Sequence, residues 1–451
     1  MVDTSWFRWS KRLELQGLVM KRIVLRDPTL IAPFGEPARD LRILNKPLWL
    51  LHRDLLARHC QSVAEVDDWS EISPSSDELL VHKDNLYFNR DFIETFIAEA
   101  RATGQPCQVA FAADDAMITA HALRLQEGIR KHGNHYIADL YYFPRGVVPN
   151  PQPLVIDTNA MEMGYYHIPS YMAPNQGDLV FQVPIRAFCS IESWVHIFMT
   201  NSPLGVFAWG RKLEQEVANS WRLKLKIGFR SFIERKHFLS SSPVVKIGKN
   251  CSIDPSAIIQ GPTEIGNNVN IGAGVVITNS LIGNNVTIMQ GSQVMLSVVS
   301  DRCYLPFRAA LFMTVLMENS MVAQNTCLQL CVVGRNTFIG AGNTCTDFDL
   351  LGKPIKTLHR GRLEEVGLPV IGSAIGHNCK IGSGFVIYPA RNIESGTVLI
   401  YGDDHSVIPK NVSSGIYTRP PVFYPDRDPR VQRIPVGDRV ADEYPAEQFR
   451  D

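Results

Sequence analysis

The stretch VKIGKNCSIDPSAIIQGPTEIGNNVNIGAGVVITNS, residues 245–280, places an isoleucine at every sixth position. The six are Ile247, Ile253, Ile259, Ile265, Ile271 and Ile277. A helix with about 3.6 residues per turn would carry positions six apart to different faces, and a simple strand would need only a repeat of about two. Glycine follows several of these isoleucines and lets the backbone turn a tight corner. The stretch therefore predicts short strands that turn every six residues, each directing one aliphatic side chain towards a common axis.

The same spacing recurs in three later runs. They are Ile282, Ile288 and Val294, then Cys327, Val333, Ile339 and Cys345, and finally Ile375, Ile381, Ile387, Ile393 and Leu399. This period resembles that of the hexapeptide-repeat proteins, in which three hexads close one triangular coil of a left-handed parallel β-helix. Stacked coils bury an aliphatic column that no single coil could bury alone. The resemblance implies a left-handed parallel β-helix over residues 243–416.

The rhythm is interrupted between the second and third runs. Residues 305–321, LPFRAALFMTVLMENSM, contain an apolar run that we interpret as helical. It could cover the core of the β-helix, pack in a subunit interface or touch a membrane surface. The first two are favoured, because a helix that binds a membrane surface usually carries several Lys or Arg. The run is too short to span a bilayer, which takes about 20 apolar residues.

The charge and cysteine content exclude several classes of protein. The 451 residues carry 45 Lys plus Arg and 45 Asp plus Glu, so there is no basic excess for nucleic acid and none is expected as a partner. The first residues lack the apolar core of a signal peptide, so we expect a cytoplasmic protein with no transmembrane segment. Nine cysteines without CxxC pairs indicate reduced packing residues and no zinc site.

The first half of the chain alternates predicted strands and helices. Strands are predicted at 23–25, 78–81 and 107–111, and helices within 45–60 and 91–101. This order indicates an α/β domain with a largely parallel, Rossmann-like sheet, which we place at residues 1–190. The working groups of such sheets gather just past the carboxyl ends of the strands, where Asp84 stands.

Two motifs in this half resemble a known family. The stretch 77–111, DELLVHKDNLYFNRDFIETFIAEARATGQPCQVAF, is similar to the core of sugar-1-phosphate nucleotidyltransferases, and Asn45-Lys46-Pro47-Leu48 to the segment leading into their second helix. An α/β nucleotidyltransferase-like domain followed by a hexapeptide β-helix is the layout of the bifunctional N-acetylglucosamine-1-phosphate uridylyltransferase/glucosamine-1-phosphate acetyltransferase family. The resemblance implies Mg²⁺ on Asp84, a phosphate contact from Lys46, and an acyl-CoA site. It also implies a homotrimer with the α/β domain at the N-terminal end of each β-helix.

The chain departs from the nucleotidyltransferase pattern after its first strand. Nucleotidyl transfer needs a glycine-rich loop there, because backbone N–H groups must approach the triphosphate closely. This chain instead continues as Leu25-Arg26-Asp27-Pro28. Asp84 can therefore also be read as a turn-initiating aspartate before Asn85. The chain is a divergent member of any such family, and its first domain a degenerate one.

The acetyltransferase pattern is also altered. Counting back from Ile339-Gly340-Ala341-Gly342, Gln324 stands at the position of the family's general-base histidine and Met321 at that of its lysine. Glutamine cannot take a proton from an amine, so the base position is vacant. Asp347, Asp349 and Lys353 still follow the family's layout and, with Gln324, could line a sugar or nucleotide cleft.

Other histidines could supply the missing base. His377 follows Ile375 by two positions and is expected to point outward from a flat face, where neighbouring subunits form acyl-CoA clefts. His359 lies on the loop that breaks the repeat, and loops often carry function. His405 could be oriented by Asp403 or Asp404. We take His377 and His359, in that order, as candidate catalytic residues; the alternative for each is a solvated surface histidine.

The remaining segments complete the predicted organisation. Residues 191–242 are predicted to be a helical linker, with helices at 194–200 and 211–232. Residues 417–451 are rich in proline and are expected to form an extended or disordered tail, because proline removes a backbone donor. The function expected is a transferase of sugar-nucleotide or cell-envelope precursor metabolism that binds a nucleotide or sugar phosphate. The alternative is a catalytically inactive trimeric binding or scaffolding protein.

Overall fold

The N-terminal α/β unit is built on a mixed sheet of seven strands. The structure, a computed structural model, describes residues 20–167, 169, 171, 178–400 and 406–417. Strands β1 to β7 are Met20–Leu25, Cys60–Val66, Leu79–Lys83, Cys107–Ala112, Ile129–His132, His135–Phe143 and Gln152–Val155. Their order is β7-β4-β6-β3-β1-β2, with β5 paired to β6. Strand β6 runs antiparallel to its neighbours β3, β4 and β5, and the other pairs are parallel. The largely parallel sheet expected from the sequence is therefore a mixed one.

The helices lie where the apolar periodicity places them. Helices α1 to α5 are Leu48–Leu56, Arg90–Thr103, Trp194–Asn201, Ala208–Asn219 and Trp221–Glu234. Shorter 3₁₀ and π turns are Ala38–Asp40, Ile118–Ala122, Trp69–Glu71, Ser202–Phe207 and Phe238–Ser240. The predicted helix at 211–232 is two helices, because the chain is extended at Ser220, whose side chain caps α5 by accepting from the N–H of Leu223.

Five pairs of short antiparallel strands lie outside the main sheets. They are Leu30–Ile31 with Glu36–Pro37, Arg42–Ile43 with Lys46–Pro47, Leu86–Phe88 with Phe188–Ser190, Ala160–Tyr166 with Leu179–Pro184, and Lys356–His359 with Arg362–Glu365. The last pair belongs to an insertion within the repeat.

Three parallel sheets wind through the C-terminal half. Sheet 1 contains Val245–Ile247, Thr263–Ile265, Leu281–Ile282, Val298–Val299, Val315–Leu316, Val332–Val333, Ala374–Ile375 and Asn392–Ile393. Sheet 2 contains Ser252–Ile253, Asn270–Ile271, Thr287–Ile288, Tyr304–Leu305, Met321–Val322, Phe338–Ile339, Lys380–Ile381, Val398–Leu399 and Ile416–Tyr417. Sheet 3 contains Ile258–Gln260, Val276–Thr278, Gln293–Met295, Ala310–Phe312, Cys327–Gln329, Thr344–Cys345, Val386–Ile387 and Val407–Ile408. This is the coil arrangement that the hexads predict.

The aliphatic column of the hexads is the core of the β-helix. Ile265 pairs with Ile282 in sheet 1, and Ile277 pairs with Val294 in sheet 3. These side chains are buried in one cluster that runs the length of the coils. Ile247, in the first coil, is exposed because no earlier coil covers it.

Residues 305–321 are not helical, and the expectation of an apolar helical insert is wrong. They continue the coils: Leu305 pairs with Ile288, Leu311 with Val294, and Leu316 with Val299. The six-residue count did not detect these strands because the coils here are one residue shorter. The corner asparagines Asn268 and Asn285 are 17 residues apart, whereas Asn250 and Asn268 are 18 apart.

One corner of the β-helix is lined by asparagine. Asn250, Asn268, Asn285, Asn319, Asn336 and Asn378 all have positive φ, the left-handed conformation that asparagine tolerates better than most residues. The side-chain amides link neighbouring coils, as from Asn336 to Asn378 at 3.1 Å. The ladder fixes the corner and gives each coil the same register.

The α/β unit lies along the side of the β-helix and not at its N-terminal end, which corrects the arrangement expected from the resemblance. The outward residues Val315 and Val332 of sheet 1 are buried in the core of the α/β unit. Arg42 pairs with Glu318 at 2.6 Å, and the Ser300 hydroxyl donates to Asn45 at 2.7 Å. Sheet 1 is therefore covered by the chain itself over these coils, while sheets 2 and 3 carry exposed outward residues.

Helices α4 and α5 close the N-terminal end of the β-helix. Leu213, Val217, Leu223 and Ile227 pack against the cluster of the first coils. Among the described residues, no helix combines the length and apolar character needed to cross a bilayer. His405 lies outside the described residues, and so does the proline-rich tail that follows Tyr417. The division of the chain at residues 190, 242 and 416 stays a prediction.

Candidate functional site

Asp84 lies directly after β3, at the edge where β1, β2 and β3 end in parallel. Both oxygens of the buried carboxylate are engaged, since Oδ1 accepts from the backbone N–H of Asp27 at 2.9 Å and Oδ2 accepts from Arg39 at 3.2 Å. Burial raises the pKa of Asp84 to about 6, although the Asp27 N–H and Arg39 act to lower it. The carboxylate is thus buried, with one oxygen bound to a backbone N–H and the other to the side chain of Arg39.

This edge does not fit Mg²⁺. The neighbouring carboxylate of Asp27 pairs with Lys83 at 3.6 Å and accepts from Asn85 at 3.3 Å, so cations and N–H donors occupy the oxygens that a hard ion would need. Across the described residues, no group of three His, Cys, Asp or Glu side chains is placed to hold a metal ion. Lys46, the predicted phosphate contact, is exposed and pairs with Asp54 at 2.7 Å. The structure therefore does not gather Lys46 and Asp84 into one phosphate site.

The loop after β1 docks on the β-helix. Its Pro33 carbonyl accepts from the N–H of Ser395 at 3.1 Å, and the ring of Phe34 lies 5.1 Å from that of His377. Glu36 forms an ion pair with Arg335. The segment that would cover a triphosphate in a nucleotidyltransferase is here part of the contact between the two units.

His377 is buried beneath this loop, so it does not line an open cleft between subunits as expected. Its Nδ1 accepts from the N–H of Arg335 at 2.9 Å, and its Nε2 lies 3.7 Å from Glu36 Oε2. Burial lowers the pKa of His377 to about 4, with Arg335 adding to the effect. Both ring nitrogens face partners within the chain, which suits a histidine that joins the coil to the α/β unit.

His359 lies on the hairpin that interrupts the repeat. Strands Lys356–His359 and Arg362–Glu365 pair antiparallel around Arg360 and Gly361, both with positive φ. Thr357 and His359 share the buried face, and Glu364 stands opposite Thr357, diagonal to His359. The hairpin therefore brings a carboxylate beside the histidine.

The ring of His359 is buried without hydrogen bonds. Its Nδ1 lies 3.4 Å from Glu364 Oε2, close enough for an ion pair but not aligned as a hydrogen bond. Within the described part of the chain, both ring nitrogens of His359 are buried polar atoms without a partner. Buried polar groups in native proteins are almost always paired, so an unpaired one calls for a bound water, a ligand or a catalytic role.

The α/β unit supplies the other wall around the hairpin. The indole N–H of Trp194, at the start of α3, donates to the Thr357 hydroxyl at 2.9 Å. Arg360 at the hairpin tip donates to Glu192 at 2.8 Å and pairs with Glu127. Glu192 is buried and accepts from the N–H of Gly128 at 2.8 Å. The hairpin is thus clamped onto the start of α3.

The other predicted binding residues are divided between two places. The Asp349 carboxylate accepts from the N–H groups of Leu351 at 2.8 Å and Lys353 at 3.3 Å, which closes the turn before the hairpin. Asp349 and Lys353 line a cleft of about 130 Å³ with Tyr388 and Arg391. Asp347 does not line this cleft; burial raises the pKa of its carboxyl.

Gln324 lies one coil before Gly342 and is half-buried. Its carbonyl accepts from the N–H of Gly342 at 3.0 Å, so its backbone serves the ladder between coils. The structure thus brings Asp349 and Lys353 together in the insertion that also carries His359, whereas it records no contact of Gln324 with them.

Sequence reasoning missed Glu364 and the pairing of Arg39 with Asp84. Glu364 could have been found, because the residues KTLH, RG and RLEE read as two strands around a two-residue turn with glycine. The pairing of Arg39 with Asp84 could not, because it joins segments distant in the chain through the fold of the α/β unit.

Comparison with known proteins identifies the repeat. Residues 245–279 match the family described as bacterial transferase hexapeptide (six repeats). A search of curated proteins found no match. The match is confined to the stretch that carries the six-residue spacing of isoleucine.

Solved structures of low similarity were also found. Perosamine N-acetyltransferase from Caulobacter crescentus, a mutant in complex with CoA and GDP-perosamine, is 18% identical over 43% of this chain and 61% of that one, with a TM-score of 0.16. A polysialic acid O-acetyltransferase is 16% identical over 38% of this chain and 83% of that one, with a TM-score of 0.19. A putative acetyltransferase from Bacillus cereus is 19% identical over 34% and 77%, with a TM-score of 0.14. The chain thus spans about three fifths of the length of the first of these.

Proposed function

We propose that the protein is an acyltransferase of the hexapeptide-repeat class, in which His359 acts as general base. The acceptor in this proposal is a sugar phosphate or nucleotide-linked sugar with an amine or hydroxyl, and the donor is acyl-CoA. The class rests on the repeat at 245–279 and the donor on the resemblance to hexapeptide acetyltransferases. The acceptor class rests on the resemblance alone.

The observation that carries the proposal is the state of the His359 ring. A base needs one free ring nitrogen and benefits from a carboxylate at the other. His359 has Nδ1 3.4 Å from Glu364 Oε2 and an Nε2 without a partner in the described part of the chain. By contrast, the Nδ1 of His377 accepts a hydrogen bond and its Nε2 lies 3.3 Å from the guanidinium of Arg335. The geometry therefore favours His359, the second of the two sequence candidates.

The proposed chemistry balances at these atoms. The acceptor amine or hydroxyl attacks the thioester carbonyl while Nε2 of His359 takes its proton. The C–S bond breaks, and the CoA thiolate leaves and takes up the proton. The carboxylate of Glu364, 3.4 Å from Nδ1, stabilises the imidazolium that forms between these steps.

Nucleotidyl transfer is not part of the proposal. Phosphoryl-type transfer needs a phosphate cradle and a metal ion, and the loop after β1 is taken up by its contacts with Ser395 and His377. The carboxylate of Asp84 is bound to Arg39. A homotrimer remains a proposal from the resemblance; with sheet 1 covered by the α/β unit, sheets 2 and 3 are the faces for such contacts.

The test is acyl transfer by the full chain. Release of free CoA thiol from acetyl-CoA would be measured with a panel of amino sugars, sugar phosphates and nucleotide sugars. We expect turnover with at least one acceptor, and a fall of about 10²- to 10⁴-fold in His359→Ala. The exposed His132, on β5, gives the matched control His132→Ala, which should keep full turnover.

A scaffolding function is the second candidate, favoured by the docking of the loop after β1 on the coils. It predicts no thiol release with any acceptor and no rise in melting temperature with acetyl-CoA, since a ligand of the folded state must stabilise it. Those two results together would replace the acyltransferase proposal. Equal turnover in His359→Ala and His132→Ala would leave the activity but remove His359 as its base.

A further inference from the structure

Helix α5, Trp221–Glu234, presents an apolar face to solvent. Trp221, Leu225, Phe229 and Phe232 recur at spacings of four and three, which places them along one side of the helix. Phe229 is 66% exposed and Phe232 is 83% exposed. Large aromatic side chains left in water as a continuous stripe mark an interaction surface more often than a chance feature.

This stripe is separate from the face by which α5 packs on the protein. Ile227 is buried and Leu223 is half-buried, and both lie in the cluster under the first coils of the β-helix. On a helix with about 100° between residues, Ile227 lies on the side opposite Leu225 and Phe229. The helix therefore has one apolar face for the β-helix and a second one that no described part of the chain covers.

Basic residues flank the second face on both sides. They are Arg222, Lys224, Lys226, Arg230, Arg235 and Lys236, against the single carboxylate of Glu234 in the same segment. Among the described residues, none of these six cations forms a salt bridge. In a chain with zero net charge, this is a local concentration of positive charge around an aromatic stripe.

Charge decides which occupant suits the surface. A second copy docked face to face would bring the six cations of each helix together, and like charges at an interface are unfavourable. An anionic lipid surface attracts them, while aromatic side chains settle at the boundary between headgroups and acyl chains. We propose that the protein binds peripherally to the surface of an anionic membrane through α5. Its four apolar side chains, Trp221, Leu225, Phe229 and Phe232, would insert into the membrane, and the six cations would lie at the headgroups.

The position of α5 sets how the protein would lie. The helix covers the N-terminal end of the β-helix, where Ile247 and Phe238 are also exposed. Membrane contact would therefore be made at this end of the coils, and the His359 hairpin, which interrupts the later coils, would stay in water. The proposal does not depend on the acyltransferase proposal.

The test is co-sedimentation of the full chain with vesicles. Vesicles of equal parts phosphatidylglycerol and phosphatidylcholine should bind the protein, more weakly as salt rises, and phosphatidylcholine alone should bind far less. Phe232→Ser removes an inserted ring that is already exposed, so the fold should persist while binding weakens by about tenfold. Lys226→Glu with Arg230→Glu should weaken binding by at least about tenfold.

The matched control is Tyr166→Ser, which removes an exposed aromatic ring from a strand of the α/β unit and should leave vesicle binding unchanged. Absence of binding by the unmodified protein to the anionic vesicles would overturn the proposal. So would an oligomer in sedimentation velocity that Phe232→Ser dissociates and Tyr166→Ser does not, since the stripe would then be a subunit interface. Equal binding to both kinds of vesicle would also overturn it, because the cations would play no part.

Discussion

Ile277 and Ile247 hold the same place in the hexad and differ only in what covers them. Ile277 is 0% exposed, and Ile247 is 44% exposed at the end of the β-helix. Replacing Ile277 with alanine removes three buried carbon atoms, worth about 0.8 kcal/mol each by transfer, and the cavity left in a closed column raises the cost to about 3–4 kcal/mol. The same change at Ile247, scaled by its buried share and without a closed cavity, should cost about 1.3 kcal/mol.

The pair should be compared by urea unfolding followed by circular dichroism. We expect the free energy of unfolding to fall by about 2 kcal/mol more in Ile277→Ala than in Ile247→Ala, with unchanged dependence on urea concentration. The comparison cancels residue type, hexad position and helix or strand propensity, so the difference reports stacking alone. Equal losses in the two variants would mean that Ile277 does not point into a closed column, and the stacked-coil reasoning would be refuted.

Three further outcomes follow from buried polar groups. Burial raises the pKa of Asp84 from 3.8 to about 6, so its contribution to stability is complete below about pH 4 and is lost as the pH rises through 6. Asp84→Asn should therefore stabilise the fold at pH 8, by about 3 kcal/mol at most, and leave its stability unchanged at pH 4. Urea denaturation of both proteins at the two pH values measures the difference. Arg42→Ala leaves the buried carboxylate of Glu318 unpaired and should cost about 2–4 kcal/mol in unfolding free energy, whereas adding Glu318→Gln should recover part of the loss. His377→Ala should lower the melting temperature, because it removes the acceptor of the Arg335 N–H and the ring that packs against Phe34. Acyl-transfer turnover per folded molecule should stay unchanged. Loss of turnover with the fold intact would make His377 the base.

The hexads predicted the β-helix from local spacing because each inward side chain needs only the coils above and below it. That reasoning failed at 305–321. There Leu305 and Leu311 are six residues apart but Leu316 follows after five, and outward residues such as Val315 are apolar as well. They are apolar because the α/β unit covers them. The contact erased the alternation that would have identified strands, and the segment resembled a buried helix.

The candidate site was likewise predicted in part from the sequence and decided in part by the fold. His359 was selected because it lies on an insertion in the repeat, and the turn chemistry of that insertion was present in the sequence. His377 was placed on an outward face because its distance from Ile375 sets its direction on the coil. Its direction is the one expected, but Phe34 and Glu36 arrive there from the α/β unit and bury it. The same docking removes the loop after β1 from any phosphate site.

The sequence alone determined that the second half winds into stacked coils, since a six-residue period of isoleucine acts through neighbours along the chain. It also determined three strands of the α/β sheet and the positions of helices α1 and α2. Only the tertiary structure decided that the α/β unit lies against the side of the coils, that Phe34 and Glu36 cover His377, and that Asp84 is bound to Arg39. These depend on contacts between segments far apart in the chain, whose free energy is set by surface complementarity and burial and leaves no periodic mark in the residues.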